Sequence, residues 1–145
     1  MPYLIDGSNL LGVMGVDRQL DESKRRLVRM LGAFAKMKKT RVTCVFDGPE
    51  PERFGRLPGG VAVVFSGRDP ADDVIANRAA HGHGWSVVTS DRGLMSRVRR
   101  RYVEIVAPPP FLRTIEEAAA AMGGESQSAE DWLAFFSDES NRTKF

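Results

Sequence analysis

The chain has 145 residues, enough for one domain with a buried core, and its 42% hydrophobic and 28% charged residues are an ordinary balance for a globular protein. No apolar run approaches the roughly 18 residues that a membrane span needs, and the first residues lack the pattern of a signal peptide. We therefore expect a cytoplasmic protein that does not enter a membrane. A single cysteine excludes an internal disulfide and any cysteine-rich zinc site.

The net charge of +2 is divided unevenly along the chain. Residues 1–110 carry 18 Lys and Arg against 12 Asp and Glu, a charge of +6, whereas residues 111–145 carry 3 against 7, a charge of −4. A basic body suits a polyanionic partner such as a nucleic acid, although many domains of this charge bind none. The charge alone therefore assigns no partner.

Short β-rich runs alternate with longer helical stretches along the chain. The runs that are predicted as strands 1 to 5 are residues 3–5, 41–46, 61–65, 86–89 and 102–106. They are continuous apolar runs, which is typical of a parallel sheet covered by helices on both faces, and Cys44 is predicted to be buried in strand 2. The pattern predicts an α/β three-layer sandwich with a mainly parallel, five-stranded sheet.

The clearest helix is predicted after Asp21, its expected N-cap, because apolar residues repeat at helical spacing from Leu27 to Met37. Residues 48–60 are too rich in Pro and Gly for regular structure and predict a mobile loop after strand 2. Two further helices are predicted at about 70–80 and 92–100.

The C-terminal part is predicted to hold two more helices. The first follows three prolines at 108–110 and is expected to stop at Gly123-Gly124. The second is short, is capped by Ser128 and carries Trp132 and Phe136, which suit packing against the same domain or, as the alternative, docking into the groove of a protein partner. We expect one domain over residues 1–136 and a polar, disordered tail over 137–145.

Acidic residues follow four successive predicted strands. Strand 1 ends in Asp6-Gly7-Ser8-Asn9, strand 2 in Asp47-Gly48 and strand 4 in Ser90-Asp91, while strand 3 leads into Asp72-Asp73 at the start of a helix. One such aspartate alone is usually a helix cap or a turn residue. Several at one sheet edge repel each other unless a cation neutralises them, and oxygen ligands suit Mg²⁺ or Mn²⁺.

A divalent cation held at such an edge can activate water and clamp the oxygens of a phosphodiester. Candidate cations for contact with the phosphates are Arg68 and Arg92, which lie beside the acidic motifs, and Arg53 and Arg56 in the predicted loop. The basic run that begins at Arg97 lies at the far end of its predicted helix and suits either a solvated face or steering of a nucleic-acid backbone.

Four short motifs occur in order within residues 3–106. They are Leu4-Ile5-Asp6-Gly7-Ser8-Asn9-Leu10, Val45-Phe46-Asp47-Gly48, Ala71-Asp72-Asp73-Val74-Ile75 and Val88-Thr89-Ser90-Asp91. Together they resemble the motifs of NYN-domain proteins, the YacP-like branch of the PIN nuclease superfamily. The resemblance implies a PIN-like sheet in the order 3-2-1-4-5 and metal-dependent endonucleolytic cleavage of RNA, most simply single-stranded RNA, leaving 5′-phosphate and 3′-hydroxyl ends.

The resemblance also implies a role for each motif residue. The aspartates that it assigns to a Mg²⁺ or Mn²⁺ ion are Asp6, Asp72 and Asp91, with Asp73 ranked second to Asp72. Asp47 would complete the catalytic pocket, and Asn9 would orient a ligand, a water or the scissile phosphate.

Other classes of protein fit the residues less well. A haloacid-dehalogenase-type phosphatase needs an aspartate where this chain has Ser8, and no Gly-rich phosphate loop with a following Lys-Ser/Thr pair is present. His81 and His83 lack the cysteine or third histidine of a zinc site. Two alternatives stay open: a non-catalytic PIN-like module that binds RNA or serves as a scaffold, and a toxin-type PIN nuclease.

Overall fold

The computed structural model describes residues 2–81, 84–99 and 103–126. The elements in chain order are β1 (Tyr3–Asp6), α1 (Gly7–Met14), α2 (Asp21–Lys38), β2 (Val42–Phe46), β3 (Val61–Phe65), α3 (Ala71–Ala80), β4 (Ser86–Val88), α4 (Arg92–Val98), β5 (Glu104–Val106) and α5 (Pro108–Ser126). The predicted helix that carries Trp132 and Phe136, and the tail at 137–145, lie outside the described residues. None of the helices in the described part is long and apolar enough to cross a membrane.

The five strands form one sheet in the order β3-β2-β1-β4-β5, and all neighbouring strands are parallel. This order and the α/β class confirm the prediction. In the register of the sheet, Asp6 at the end of β1 pairs with Val45 of β2, and Ile5 pairs with Val88 of β4. The carboxyl ends of the three central strands therefore meet at one edge of the sheet.

Both faces of the sheet are covered by helices. Ile5, Cys44 and Val88 belong to a core shared with α1, α2 and α5, whereas Leu4, Val45 and Val87 belong to a second core shared with α3 and α4. Cys44 is fully buried, as predicted. Burial on both faces explains why the strands are continuous apolar runs rather than alternating ones.

Helix α1 was not predicted, because Asp6-Gly7-Ser8-Asn9 has the composition of a turn. The Asp6 carboxylate is nevertheless the N-cap of α1, since its Oδ1 accepts the N–H of Asn9 at 3.3 Å. Leu10 and Leu11 anchor the helix in the core, and it ends at Gly15, which has a left-handed φ of 76°. Strand β1 thus passes directly into α1, and Asn9 is fixed in the first turn of that helix.

Two predicted helix boundaries were wrong. Helix α2 begins at Asp21 itself, and the N-cap is Leu20, so Asp21 does not cap it. Helix α5 begins at Pro108 and continues through Gly123-Gly124. Prolines are tolerated in a first helical turn because the N–H groups that they lack would have no partner inside the helix.

Candidate functional site

The carboxylate of Asp6 lies at the centre of the sheet edge and is almost fully buried. Its Oδ2 accepts a hydrogen bond from the hydroxyl of Thr89 at 3.0 Å, and the Thr89 oxygen in turn accepts the backbone N–H of Asp91 at 3.1 Å. Asp91 then caps α4, because its Oδ1 accepts the N–H of Leu94 at 2.9 Å. Thr89 therefore joins the two aspartates at the ends of β1 and β4.

A glycine follows Asp6 because the backbone passes very close to β2 at that point. A Cβ atom at Gly7 would lie 2.7 Å from the ring of Phe46 and 2.8 Å from the Sγ atom of Cys44. Contacts this short require the core to move. Glycine thus lets α1 lie directly against β2, which sets the start of α1 beside the carboxylates.

Asn9 connects α1 to the segment that follows β4. Its Oδ1 accepts both the backbone N–H and the hydroxyl of Ser90, at 3.0 Å and 3.1 Å. The oxygen of the Asn9 amide is therefore engaged with Ser90. The NH₂ group of the same amide is the donor that Asn9 can offer to a phosphate oxygen or a water.

Asp47 lies at the end of β2 and makes its contacts toward α3. Its Oδ1 accepts the backbone N–H of Ala71 at 3.0 Å and the hydroxyl of Ser66 at 3.3 Å. The next residue after Ala71 is Asp72, in the first turn of α3. Asp73 lies beside it, and its Oδ1 is 2.8 Å from the Nη1 atom of Arg97, in an ion pair whose side chains are about half exposed.

Burial and neighbouring charges raise the pKa of the Asp6 carboxyl to about 6. Loss of hydration is the largest cause, and the charges of Asp72 and Asp91 raise the pKa further. The hydrogen bonds from Thr89 and from the Asn9 backbone act in the opposite direction. Ionised Asp6 is therefore unfavourable unless something compensates its charge.

The pKa of Asp72 is also raised, first by partial burial and then by the charge of Asp91. Asp47 and Asp73 add to this repulsion, whereas Arg97 opposes it. The charges of neighbouring aspartates thus disfavour the ionised forms of Asp6 and Asp72.

These carboxylates fit a hard divalent cation in their chemistry, because the donors are all oxygens and their mutual repulsion is relieved by positive charge. Within the described ranges, no group of three or more His, Cys, Asp or Glu side chains lies close enough to form a complete ligand set.

The four arginines that were predicted to contact phosphates are exposed. Arg92 is the first residue of α4 and follows Asp91 directly, and Arg68 lies in the turn that precedes α3. Arg53 and Arg56 lie in the segment 48–60, which forms neither helix nor strand, as predicted. Arg68 and Arg92 thus lie on either side of the segment from α3 to β4, which carries Asp72 and ends next to Asp91.

A cavity of about 940 Å³ adjoins the cluster on the side of α1 and α2. Ser8 and Asp47 line it where it meets the sheet edge, and the buried Lys24 lines it from α2. The other charged residues of its lining are Asp17, Arg18, Asp21 and Glu50. With more acidic than basic groups, the cavity is a poor place for a polyanion.

The family model for the YacP-like NYN domain matches residues 3–139. The chain belongs to the YacP-like NYN family. This assignment confirms the resemblance that the four motifs indicated, and it gives the sheet and its acidic edge the PIN-like nuclease fold of that family.

Two solved structures have the same fold as this YacP-like chain. The crystal structure of Rae1 (YacP) from Bacillus subtilis has 17% sequence identity and a TM-score of 0.70, and the match covers 99% of this chain and 91% of that one. A mutant form of Rae1 has 21% identity and a TM-score of 0.67, with 81% of this chain and 76% of that one covered. No curated protein matches the chain.

Proposed function

We propose that this YacP-like chain is a metal-dependent endoribonuclease that hydrolyses single-stranded RNA at the acidic edge of its sheet. The observation that carries the proposal is the buried Asp6 carboxylate, which Thr89 connects to the backbone of Asp91 and whose pKa is raised by the charges of Asp72 and Asp91. Buried carboxylates with raised pKa values are costly for a fold to maintain and are concentrated at functional sites. Membership of a family with a PIN-like nuclease fold supports the same function.

In this proposal Asp6, Asp72 and Asp91 hold Mg²⁺ or Mn²⁺. When bound, the ion lowers the pKa of a coordinated water and offsets the negative charge of the phosphate. Asn9 donates from its amide nitrogen and orients the scissile phosphate or the attacking water. Asp73 is the secondary candidate for the cation, because it already forms an ion pair with Arg97.

The proposed reaction is an in-line hydrolysis. The oxygen of a water molecule forms a bond to phosphorus, the bond from phosphorus to the 3′ oxygen breaks, and the leaving oxygen takes up a proton. The products are a 3′-hydroxyl and a 5′-phosphate, which are the ends implied by the resemblance to NYN-domain proteins. Thr89 holds Asp6 and Asp91 at a fixed separation during this step, because its hydroxyl donates to the Asp6 carboxylate and accepts the backbone N–H of Asp91.

Cleavage of RNA is expected to require a divalent cation. The test incubates purified protein with end-labelled single-stranded RNA in Mn²⁺ or Mg²⁺, in EDTA, and in EDTA followed by excess Mn²⁺. We expect cleavage with the cation, none in EDTA and recovery on re-addition. DNA of the same sequence is the matched substrate that asks whether the 2′-hydroxyl matters.

Cleavage that persists in EDTA would contradict the metal mechanism. If the protein binds RNA but cleaves neither RNA nor DNA in Mn²⁺, the non-catalytic RNA-binding module becomes the better description. Analysis of the new ends by phosphatase and kinase treatment separates the proposed 5′-phosphate products from those of a contaminating metal-independent ribonuclease.

The arginines beside the acidic cluster are expected to bind the RNA backbone. Replacing Arg68 and Arg92 together with Ala should weaken RNA binding at every sequence and reduce the slope of log affinity against log salt by about 1.4, because each phosphate contact on a single strand contributes about 0.7. The matched control replaces Lys36 and Lys38 with Ala. These are exposed cations in the last turns of α2, which leads into the N-terminal end of β2, whereas the acidic cluster lies at the C-terminal ends of the strands. An equal effect of the two double variants would count against a local RNA track.

A further inference from the structure

Helix α3 carries Asp72 in its first turn but has no cap from its own sequence. Its N-cap residue is Pro70, which makes no side-chain capping hydrogen bond. The first N–H groups of a helix have no partner inside the helix, so they need acceptors from elsewhere. The position of Asp72 therefore depends on what holds the start of α3.

That acceptor comes from a residue 24 positions earlier in the chain. Oδ1 of Asp47 accepts the N–H of Ala71, the first residue of α3, at 3.0 Å. The hydroxyl of Ser66 donates to the same oxygen at 3.3 Å, and the Ser66 oxygen accepts the N–H of Gly48 at 3.1 Å. One carboxylate oxygen thus ties the end of β2 to both ends of the β3–α3 connection.

The backbone of Asp47 is fixed as well. Its N–H donates to the hydroxyl oxygen of Ser8 at 3.1 Å, and Ser8 lies in the first turn of α1 beside Asn9. Asp47 therefore stands between the two helices whose first turns supply groups to the proposed site, and it is hydrogen-bonded to both.

We infer that Asp47 is a positioning residue, which caps α3 across the sheet edge and thereby sets the place of Asp72, rather than a ligand of the cation. This inference rests on the proposed function, because it assigns Asp47 a task within that site. Oδ1 of Asp47 accepts from two donors, the N–H of Ala71 and the hydroxyl of Ser66. Asp47 therefore supplies a hydrogen-bond acceptor at the start of α3, and a neutral oxygen in the same place would serve as well as a charged one.

Substitution with Asn separates the two roles. Asp47→Asn keeps an oxygen that accepts from Ala71 and Ser66, but it replaces the second oxygen with an NH₂ group and removes the charge. Asp47→Ala removes the acceptor as well. A cap tolerates Asn as well as Asp, whereas a carboxylate that binds a cation loses its negative charge, and with it affinity for the cation, when Asn replaces it. Ser66→Ala removes one of the two donors and tests the same connection without changing position 47.

Two measurements test the inference on the full chain. The first is the Mn²⁺ affinity of the protein by calorimetry, and the second is amide hydrogen exchange at Ala71 and Asp72 in metal-free protein. We expect Asp47→Ala to weaken Mn²⁺ binding by roughly 10–100-fold, the usual effect of losing a group that orients a ligand, and to speed exchange at Ala71. Asp47→Asn should resemble the wild type in both, and Ser66→Ala should fall between.

Loss of Mn²⁺ affinity in Asp47→Asn as large as in Asp47→Ala would overturn the inference, because it would make the charge of Asp47 essential. If Asp47→Ala does not fold, the Asn and Ser66 variants still decide the matter. If the wild type binds no Mn²⁺, the proposed function fails, but the exchange experiment still separates a cap from a residue with no role in α3. Unchanged exchange at Ala71 in both variants at position 47 would also overturn the inference.

Discussion

Replacing Asp91 with Asn is expected to lower the rate of RNA cleavage by on the order of a thousandfold, equivalent to about 4 kcal/mol of transition-state stabilisation. The fold should survive, because Asn is as good an N-cap as Asp and can still accept the N–H of Leu94. The bond from the Asp91 backbone N–H to Thr89 does not involve the side chain. The substitution therefore removes a charge from the proposed site and little else.

Single-turnover cleavage of labelled RNA in saturating Mn²⁺ measures this effect, and thermal unfolding in EDTA checks the fold. Asp69→Asn is the matched control, since Asp69 is an exposed aspartate in the turn before α3 that has no part in the proposed site. Its rate should stay close to that of the wild type. A cleavage rate for Asp91→Asn equal to that of the control would remove Asp91 from the mechanism.

The fold could be predicted in outline because its signals are local. Runs such as Val61–Phe65 are apolar throughout, which indicates strands buried on both faces, and the predicted strands differ from the observed ones by at most two residues at either end. The order of the strands is not a local property. It came from the resemblance of the four motifs to the NYN family, and the structure confirms it.

Helix α1 illustrates where local signals mislead. Gly7-Ser8-Asn9 favours a turn by composition, and the helix that forms there has only eight residues, so its own propensity is weak. Tertiary packing stabilises it: Leu10 and Leu11 are fully buried against the sheet. Only the absence of side-chain volume at Gly7 hinted that the chain passes close to another strand.

The position of the aspartates at one edge of the sheet could be predicted, because parallel strands all end there. Their hydrogen-bond and ion-pair partners could not be predicted. Contacts between residues far apart in the chain decide that Asp47 faces Ala71 and that Asp73 faces Arg97. Thr89 was not singled out either, although it lies two residues before Asp91 and its hydroxyl is buried between the Asp6 carboxylate and the Asp91 backbone N–H. A buried hydroxyl at the end of a strand needs a polar partner, and that requirement is the signal in the sequence that could have identified it.

Replacing Asp6 with Asn is expected to abolish cleavage and, in metal-free protein above pH 7, to increase stability. A carboxyl whose pKa rises from 3.8 to about 6 on folding opposes folding once it ionises, by up to about 3 kcal/mol. Well below pH 4 the group is protonated in the folded and unfolded states, so the opposition is absent. It grows between pH 4 and pH 6, and Asn avoids it. The oxygen of Asn still accepts the N–H of Asn9, whereas its NH₂ group replaces the oxygen that accepts the hydroxyl of Thr89.

Metal binding should reverse that order of stability. A cation that binds only the folded wild type adds about 4.1 kcal/mol at a concentration one thousand times its Kd, which exceeds the destabilisation by the ionised carboxyl, and Asp6→Asn should gain little. Urea unfolding of both proteins at pH 4, 6 and 8, in EDTA and in Mn²⁺, measures the free energy of unfolding in each state. If the wild type is the more stable protein in EDTA at pH 8, the idea that Asp6 is kept ionised at a cost to the fold is wrong. If the wild type becomes the more stable protein in Mn²⁺, binding of the cation offsets the free energy lost by burying the ionised Asp6. The same carboxylate then contributes to folding stability and to the proposed catalysis.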